Sequence, residues 1–510
     1  MISSEAKAIM TISKNIYHHP TLSQAKEQRR SSGKKRRARS FHVGDIAAKT
    51  AFLVNGNNYF AELARTLRQA KRTIWIVGWD FNPDILLEPE KSDETLGDML
   101  HSLSAANPAL KIRILIWTLG PIYSEKSVKL LRKKAFPKSP GIDLRFDIQS
   151  AIRGSHHQKL VCIDDAVAFI GGMDLTSRRW DTRRHRADDK LRRAPEGVFY
   201  DPLHDVQAMV TGDAARRVGE IARRRWEQAT GEIHASVAEG IDFAWPDDLS
   251  ISMANCPVSF ALTEPSTAFR SGAGEGIAMT LDVIAGAKRQ LYIETQYFSS
   301  FRVADAIAAR LQEEEGPEVV VICTRSSHGL IEKIVMGNNR DRVIRRLKRV
   351  DHKNRLRVYY PVVPGKKAEV EVLVHSKLII ADDDVVRIGS SNLNNRSEGL
   401  DSECDMLLEA GNADHRRAIA ELRNRLLAEF LGAGIKSFAA ANTRSGSMIA
   451  AIAAFNTGPR GLREFEVQPF GSTTPIAGTT IFDPAQPFSL LRRLGLRSFF
   501  KRIGLTARPA

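Results

Sequence analysis

The sequence has few cysteines and no long apolar run. Its four cysteines lie far apart in the 510 residues and form no Cys-x-x-Cys pair, so neither a disulfide framework nor a zinc site is indicated. The longest purely apolar run, residues 448–455, is far shorter than the roughly 18 residues that a membrane span needs. The N-terminus lacks a continuous apolar core, so we expect no secretory signal peptide. We expect a cytoplasmic or membrane-peripheral protein, with export by a signal-peptide-independent route as the alternative.

The chain also has fewer acidic than basic residues. The chain has 75 lysines and arginines against 59 aspartates and glutamates, a net charge of +16. This balance indicates an anionic partner, which could be nucleic acid, an anionic membrane surface or a phosphate-bearing substrate, unless it reflects only a solvated basic surface. The run "RRSSGKKRRARS" lies in residues 1–45 and predicts a solvated tail. The terminal "FSLLRRLGLRSFFKRIGL" fits either a membrane-interface helix or a helix packed on its own domain.

Apolar strands and amphipathic helices alternate through the first half of the chain. The spacing of apolar residues predicts a helix in 58–72, a strand in 73–81, a helix near 94–104, a strand at 111–117, a helix near 124–135 and a strand at 143–149. Alternation of this kind favours layered α/β architecture.

The second half repeats the first. "AKRTIWIVGWDF" begins at Ala70 and "AKRQLYIETQYF" begins at Ala287, 217 positions later. Residues 157–175 and 375–393 share nine identities in nineteen positions. A period above 200 residues predicts two lobes rather than a solenoid. We therefore predict an α/β fold with two duplicated α-β-α sandwich lobes about a pseudo-two-fold axis, divided into a tail (1–45), a first lobe (46–255), a second lobe (256–435) and a C-terminal extension (436–510).

Each repeat contains the pattern His-x-Lys-x4-Asp. Because alternate residues of a strand share one face, the His and Lys of each motif should point the same way, with the Asp at the strand end. Histidine can be a nucleophile or proton carrier near pH 7, and lysine binds phosphoryl oxygens, so the pair suits a phosphate diester. One such pair is more often incidental, but two copies in packed lobes can share one cleft. The two histidines would then need opposite protonation states.

The motifs and their surroundings resemble the phospholipase D superfamily. The resemblance is carried by "FIGGMDLTSRRWDT" (169–182), "LHDVQAMVTG" (203–212), "YIETQYF" (292–298) and "IGSSNLNNRSEGLDSE" (388–403), and it covers about residues 50 to 430. It implies a two-step displacement through a phosphohistidine that needs no metal or other cofactor. It also implies a monomer whose two lobes form an internal pseudo-dimer.

The resemblance implies roles for individual residues. The catalytic set is His157, Lys159, Asp164, His375, Lys377 and Asp382. In this set one histidine, usually the first, is the nucleophile and the other is the general acid and then base. Both lysines and Asn392 would hold phosphate, and Asp205 and Glu403 would hydrogen-bond the histidines. We expect the two motif aspartates to brace the motif loops. Asp174 stands where a symmetric site would have a second Asn, so a symmetric phosphate contact is not expected there.

Neighbouring residues have simpler interpretations. His156 should point to the opposite face from His157 and be structural, and His204 fits a satisfied core histidine. Gly171 and Gly172 should allow close backbone packing, and no Lys-Ser/Thr follows them as a nucleotide loop requires. The arginines of the basic stretch 177–197 fit either lipid headgroup binding or a solvated insertion.

Four functions compete. The favoured function is a phospholipase D that releases phosphatidic acid, with possible transfer to an alcohol. A cardiolipin synthase-like transferase is the next, although such bacterial enzymes commonly begin with membrane spans. The basic charge favours a nuclease, but the family's small nucleases carry one motif per chain. Intact motifs oppose a non-catalytic membrane-binding protein. We accordingly expect the partner to be an anionic phospholipid surface rather than nucleic acid.

Overall fold

The computed structural model describes most of the chain from residue 41 onward. The described residues are 41–119, 136, 139–148, 154–237, 241, 243–266, 271–326, 330–476, 479 and 483–485, with backbone alone for 330–335. The basic run of the tail, the predicted helix near 124–135 and the C-terminal amphipathic stretch lie outside them. In the described part of the chain, every helix is too short or too polar to cross a bilayer.

The first lobe alternates strands and helices as predicted. Its strands are β1 (His42–Val54), β2 (Thr73–Gly78), β3 (Lys111–Trp117), β4 (Ile142–Asp147), β5 (Leu160–Ile163), β6 (Val167–Gly171), β7 (Leu203–His204) and β8 (Val206–Gly212), and its described helices are α1 (Gly56–Leu67), α2 (Leu96–Ala106) and α3 (Asp213–Thr230). The apolar residues of α1 form its buried face. A capping box fixes the start of α2, where the Thr95 side chain accepts from the backbone N–H of Asp98.

The second lobe repeats this order. Its strands are β9 (Met253–Glu264), β10 (Ala273–Gly274), β11 (Gln290–Thr295), β12 (Glu318–Cys323), β13 (Leu356–Pro364), β14 (Glu369–Glu371), β15 (Leu373–Val374), β16 (Leu378–Ala381), β17 (Val385–Gly389), β18 (Glu403–Glu409) and β19 (Gly461–Glu464). Its helices are α4 (Glu275–Gly286), α5 (Phe301–Gln312), α6 (Leu330–Val350), α7 (Arg396–Gly399), α8 (Ala413–Phe430), α9 (Ile435–Ser445) and α10 (Met448–Phe455).

Each lobe has its own sheet, the two sheets are joined edge to edge and have mirrored strand order, and β7 and β15 form a separate two-stranded sheet between the lobes. From the centre outward, the first lobe reads β1-β8-β6-β5-β2-β3-β4 and the second reads β9-β18-β17-β16-β11-β12-β13. The outer three strands of each lobe are parallel, and the others are antiparallel. Strand β1 joins the halves, since it pairs with both β8 and β9. This equivalence confirms the predicted duplication.

Three apolar clusters give the layers. One lies against α1 and α2 in the first lobe, and one lies against α4, α5 and α6 in the second. The largest contains residues of both sheets together with α3 and α8, so it is shared between the lobes. Within it, Trp75 and Trp226 pack edge to face with ring centroids 5.7 Å apart. Each sheet is therefore covered on both sides, which is the α-β-α arrangement expected.

The structure shifts the expected boundaries. Strand β1 begins at His42, four residues before the expected start of the first lobe. Strand β9 begins at Met253, so a boundary at 255/256 would cut a strand. The segment after 435, predicted as a C-terminal extension, begins with α9 and α10, and its later strand β19 pairs with β13. These elements join the second lobe because their apolar residues, including the fully buried Phe438 and Met448, enter the shared cluster.

Candidate active site

The two motifs lie in extended segments that pair with the opposite lobe. The backbone N–H of His157 donates to the Ser402 carbonyl (3.0 Å), and that of His375 donates to the His204 carbonyl (2.8 Å). Strands β5 and β16 begin only after the motif lysines, so the prediction that His and Lys sit within the strands is wrong. The reason is that these residues pair across the lobe interface before they join the sheet of their own lobe.

Each motif histidine is held by a carboxylate of the other lobe. Nδ1 of His157 lies 2.9 Å from Oε2 of Glu403, and Nδ1 of His375 lies 2.8 Å from Oδ2 of Asp205. Both carboxylates are fully buried, whereas the His157 side chain is 17% exposed and that of His375 is 7% exposed. Because Nδ1 is engaged in both rings, Nε2 is the nitrogen left for a reacting group.

The motif lysines are buried beside the histidines. Lys159 Nζ donates to the His157 carbonyl (2.9 Å) and lies 3.3 Å from Asp174 Oδ2. Lys377 Nζ donates to the His375 carbonyl and lies 3.3 Å from His375 Nδ1. Among the residues described, Lys377 forms no ion pair of the kind that Lys159 forms with Asp174. The first-lobe lysine is thus neutralised internally, and the second-lobe lysine is not.

Asn392 is buried in the second lobe next to this site. Its Oδ1 has no hydrogen-bond partner in the described structure. Because a side-chain amide can rotate to exchange its oxygen and nitrogen, the group can present its NH2 donors to an incoming anion. Asp174, at the matching position of the first lobe, instead accepts from the Trp79 backbone N–H (2.7 Å) and cannot donate when ionised.

Burial and mutual repulsion set the protonation of the site. Burial lowers the pKa of His157 well below its usual value, and the charges of Lys159 and Lys377 lower it further. The pKa of His375 is also well below the usual value, because of burial and the charges of Lys377 and Arg179. These shared effects place the two motifs within electrostatic range of each other. Burial also lowers the pKa of Lys377 to about 7.

The supporting carboxylates shift in the opposite direction. Burial raises the pKa of Asp205 to about 6, although the charge of Lys377 opposes the shift. Burial and the neighbouring Asp401 raise the pKa of Glu403 to about 8. Burial thus raises the pKa of both carboxylates, and it raises that of Glu403 further than that of Asp205.

The two motif aspartates lie away from the reacting nitrogens. Asp164 accepts from the backbone N–H groups of Lys71, Arg72 and Thr73, each at 2.7 Å. Asp382 accepts in the same way from residues 288–290 at 2.7–3.0 Å. Both have positive φ, 55° and 54°, directly after their strands. They tie the motif strands β5 and β16 to the starts of the neighbouring antiparallel strands β2 and β11, which is a bracing geometry.

Close packing at the two glycines shapes the site. A Cβ at Gly172 would lie 2.5 Å from Asp205 Oδ1 and 2.9 Å from the His375 carbonyl oxygen. A Cβ at Gly171 would lie 2.5 Å from the Val206 carbonyl oxygen. Glycine is therefore required where the His375–Asp205 pair crosses the lobe interface.

His156 and His204, which adjoin the site residues in sequence, are completely buried. His156 is completely buried, with Nδ1 3.5 Å from Asp147, and burial lowers its pKa to about 3. His204 lies between Glu294 (3.0 Å) and Glu429 (3.3 Å). Burial opposes a charge on His204, but the two carboxylates outweigh it and raise its pKa to about 10. Glu294 also accepts from Ser376, so this network braces the second motif.

One cluster in the described structure has metal-ligating residue types. His185, His204 and Glu429 bring their ligand atoms within 4.8 Å of one another. Every nitrogen of the two rings already faces a carboxylate, because His185 lies 2.9 Å from Asp181 and 3.2 Å from Glu429. The cluster therefore forms a buried ion-pair network between the lobes.

Arg179 is a site residue that sequence reasoning did not separate from its neighbours. It is 8% exposed, and its Nε has no hydrogen-bond partner among the described residues. Backbone bonds from Asn57 to Asp181 (3.0 Å) and from Asn55 to Asp205 (2.8 Å) place its segment beside Asp205. Its charge contributes to the lowered pKa of His375. One feature of the sequence could have indicated Arg179. Asp174 is a carboxylate where the second lobe has the amide of Asn392, so the first lobe lacks that donor to a phosphate and needs another.

Comparison with known proteins agrees with this architecture. Residues 66–271 match the family model described as Phospholipase D, and residues 280–426 match the model described as Cardiolipin synthase, PLD-like domain. The chain is 26% identical to phospholipase D1 of Saccharomyces cerevisiae, covering 75% of this chain and 29% of that protein. It is 24% identical to phospholipase D A of Dictyostelium discoideum, covering 68% and 31%. The chain thus spans less than a third of the length of these two relatives.

A solved structure shows the same fold. Phosphatidylserine synthase of Haemophilus influenzae Rd KW20 superposes with a TM-score of 0.54 at 13% identity, covering 91% of this chain and 96% of that one. The duplicated lobes, the paired motifs and the two family matches lead to one conclusion: the chain belongs to the phospholipase D superfamily.

Proposed function

We propose that the chain is a phosphodiesterase that removes the headgroup from glycerophospholipids and releases phosphatidic acid through a phosphohistidine. The observation that carries the proposal is the cross-lobe arrangement, in which each motif histidine is held at 2.8–2.9 Å by a carboxylate of the other lobe with a buried lysine beside it. Two imidazoles and two ammonium groups at one interface suit in-line displacement at a phosphodiester.

The proposed reaction has two displacements. In the first, Nε2 of one histidine attacks phosphorus, the bond to the headgroup oxygen breaks, and the other histidine gives its proton to the departing alkoxide. In the second, the histidine that gave up its proton takes a proton from water, the water oxygen attacks phosphorus, and the phosphorus–nitrogen bond to the first histidine breaks. An alcohol in place of water would give a transferred lipid. The lysines, Asn392 and Arg179 would donate to the non-bridging oxygens.

The protonation order bears on which histidine is the nucleophile. Between about pH 6 and about pH 8, Asp205 is ionised and accepts from Nδ1–H of His375, which leaves its Nε2 lone pair free. The Glu403–His157 pair keeps its extra proton in this range, as a general acid requires. The free site therefore favours His375 as the nucleophile, the reverse of the family's usual assignment. Mass-spectrometric mapping of the trapped phosphohistidine distinguishes the two assignments.

A phosphatidyltransferase is the second candidate. It is favoured by the description of the matching second-half model as a cardiolipin synthase domain and by the shared fold of phosphatidylserine synthase. A nuclease is the third, favoured by the net charge of +16.

Product analysis separates the candidates. The chain would be incubated with EDTA and mixed phosphatidylcholine, phosphatidylethanolamine and phosphatidylglycerol vesicles, with and without ethanol. Phosphatidic acid, joined by phosphatidylethanol when ethanol is present, would support the phospholipase. Cardiolipin as the main product would support the transferase, and cleavage of DNA without lipid turnover would support the nuclease.

Histidine variants test the paired mechanism. His157→Ala and His375→Ala should each abolish turnover while the fold is retained, because neither step can proceed with one imidazole. The exposed His352→Ala is the matched control and should be fully active. Substantial turnover by either motif variant would contradict the mechanism.

A further inference from the structure

The first lobe carries a long insertion next to the site. Thirty residues separate Asp174 from Asp205, whereas ten separate the equivalent residues Asn392 and Glu403 in the second lobe. The two lobes share one strand order in the sheet, so this extra chain is an asymmetry between them next to the site. Its base contains Arg179, so it starts at the wall of the site.

Buried contacts give the insertion a fixed shape. Arg192 is 1% exposed, pairs with Asp181 (3.1 Å) and donates to the Arg186 carbonyl (2.6 Å). The Tyr200 hydroxyl donates to the Trp180 carbonyl (2.8 Å). Beyond these contacts the chain turns back on itself, with the Ala194 N–H donating to the Val198 carbonyl (2.9 Å). The end of the insertion is therefore a defined turn.

This turn exposes apolar side chains. Val198 is 51% exposed and Phe199 is 61% exposed, and Leu191 beside them is 39% exposed. Three large apolar groups within nine residues are a concentrated apolar surface. Among the described residues, these side chains keep 39–61% of their surface exposed, which is available to a partner.

The same segment is rich in cations. Between Thr182 and Tyr200 there are six Lys and Arg and three Asp and Glu, a net charge of 6 − 3 = +3. The exposed cations are Arg183, Arg184, Arg186, Lys190 and Arg193. The Arg193 guanidinium lies 5.9 Å from the ring centroid of Phe199, so charge and apolar surface adjoin directly. Exposed apolar groups and cations in one segment match the boundary between acyl chains and anionic headgroups.

We propose that residues 182–200, the outer part of the insertion, dock this protein on an anionic lipid surface. Val198 and Phe199 would enter the headgroup layer, and the cations would bind lipid phosphates. Lipid is favoured over nucleic acid because Val198 and Leu191 gain from an acyl boundary and have no role against a phosphate backbone. The choice of lipid rests on the proposed function. Docking through the wall of the site would bring headgroups toward the partly exposed His157.

Site-specific fluorescence tests the docking. The four native cysteines are buried, so a cysteine introduced by Phe199→Cys can be labelled selectively with a nitrobenzoxadiazole dye. Phe470 is 84% exposed at a distant sequence position, and Phe470→Cys is the matched control. With equimolar phosphatidylcholine and phosphatidylglycerol vesicles, the dye at 199 should brighten severalfold and shift to shorter wavelength. The dye at 470 should not respond, and neither should respond to phosphatidylcholine alone.

Unlabelled variants give the size of the contribution. Val198→Ser with Phe199→Ser should weaken vesicle partitioning roughly tenfold, because two apolar groups lose their transfer free energy. The double variant Arg183→Gln with Arg184→Gln should weaken binding to anionic vesicles and leave binding to uncharged vesicles unchanged. The exposed control pair, Lys366→Gln with Lys367→Gln, should have little effect on either.

The outcomes are decisive and independent of catalysis. Vesicle binding without a response at 199 would overturn the proposal, because another part of the chain would then hold the membrane. A response at 199 to a single-stranded oligonucleotide instead of vesicles would overturn it in favour of nucleic acid. The dye requires no turnover, so insertion without cleavage would refute the proposed function alone, and cleavage without insertion would refute the docking alone.

Discussion

Replacing Arg179 tests the charge balance of the phosphate site. In the first lobe Lys159 is paired with Asp174, so Lys377 and Arg179 are the cations beside the histidines without an ion pair in the described structure. Arg179→Gln removes one of these two charges and a donor whose Nε has no partner in the described structure. A hydrogen bond to a charged group contributes about 1.5–3 kcal/mol. We therefore expect kcat/KM to fall roughly tenfold to a hundredfold.

The assay should avoid the membrane. Hydrolysis of bis(p-nitrophenyl) phosphate reports the chemistry in solution, and competitive inhibition by inorganic phosphate reports anion binding, which should weaken by a similar factor. Arg178→Gln is the matched control: Arg178 adjoins Arg179 in sequence, but its side chain is 39% exposed and pairs with Glu196 (2.9 Å). This variant should stay within about twofold of the parent, as expected for a surface ion pair.

A second variant tests whether Arg179 compensates for the donor that is missing at position 174. If it replaces the donor that a symmetric site would have at position 174, then Asp174→Asn should restore part of the activity lost in Arg179→Gln. The restored asparagine would supply an amide donor and leave Lys159 unpaired. Unchanged kcat/KM and phosphate inhibition in Arg179→Gln would refute the reasoning, and so would equal losses in the two arginine variants.

Three further predictions follow from burial and pairing. The pH profile of kcat/KM should be bell-shaped, because it rises through about pH 6 as Asp205 loses its proton and falls above about pH 8 as Glu403 loses its proton. A flat profile from pH 5 to pH 9 would contradict this assignment. Asp382→Ala leaves three backbone N–H groups without their acceptor and should therefore lower the free energy of unfolding by about 3 kcal/mol in urea denaturation. Inhibition of the folded variant by phosphate should be retained. Arg387→Leu leaves Asp405 buried without its ion pair (2.9 Å) and should cost about 3–5 kcal/mol in the same assay, and a loss below about 1 kcal/mol would show that Asp405 is satisfied otherwise.

Much of the fold could be predicted because local patterns are strong. The strand at 111–117 has the predicted bounds, α2 lies within two residues of its predicted position, and α1 begins two residues and ends five residues before its predicted bounds. The error at the motifs has a physical cause. The alternation of His157 and Lys159 is that of an extended chain, but the hydrogen bonds of that chain go to the other lobe. Periodicity reveals extension and cannot reveal the partner.

The site shows the same division. The motif residues could be named from their repeat, and the pairing of the acids with the histidines could be expected from the resemblance. Arg179 could not be selected among its neighbours, because Arg178 and Arg179 are chemically equivalent in sequence and differ only in burial. The fate of the segment after 435 was missed because its apolar residues find their contacts in the shared core, far away in sequence.

The sequence by itself determined the duplication, the α/β class of each lobe and the chemistry of the two motifs, since these depend on residue types and short spacings. Only the tertiary structure decided how the halves complete each other. His157 meets Glu403 across 246 positions, and His375 meets Asp205 across 170. Such contacts form because β1 joins the two sheets and the motif segments pair across the interface. The protonation of the site depends on that closure, because burial shifts the pKa of each group and burial exists only in the folded protein.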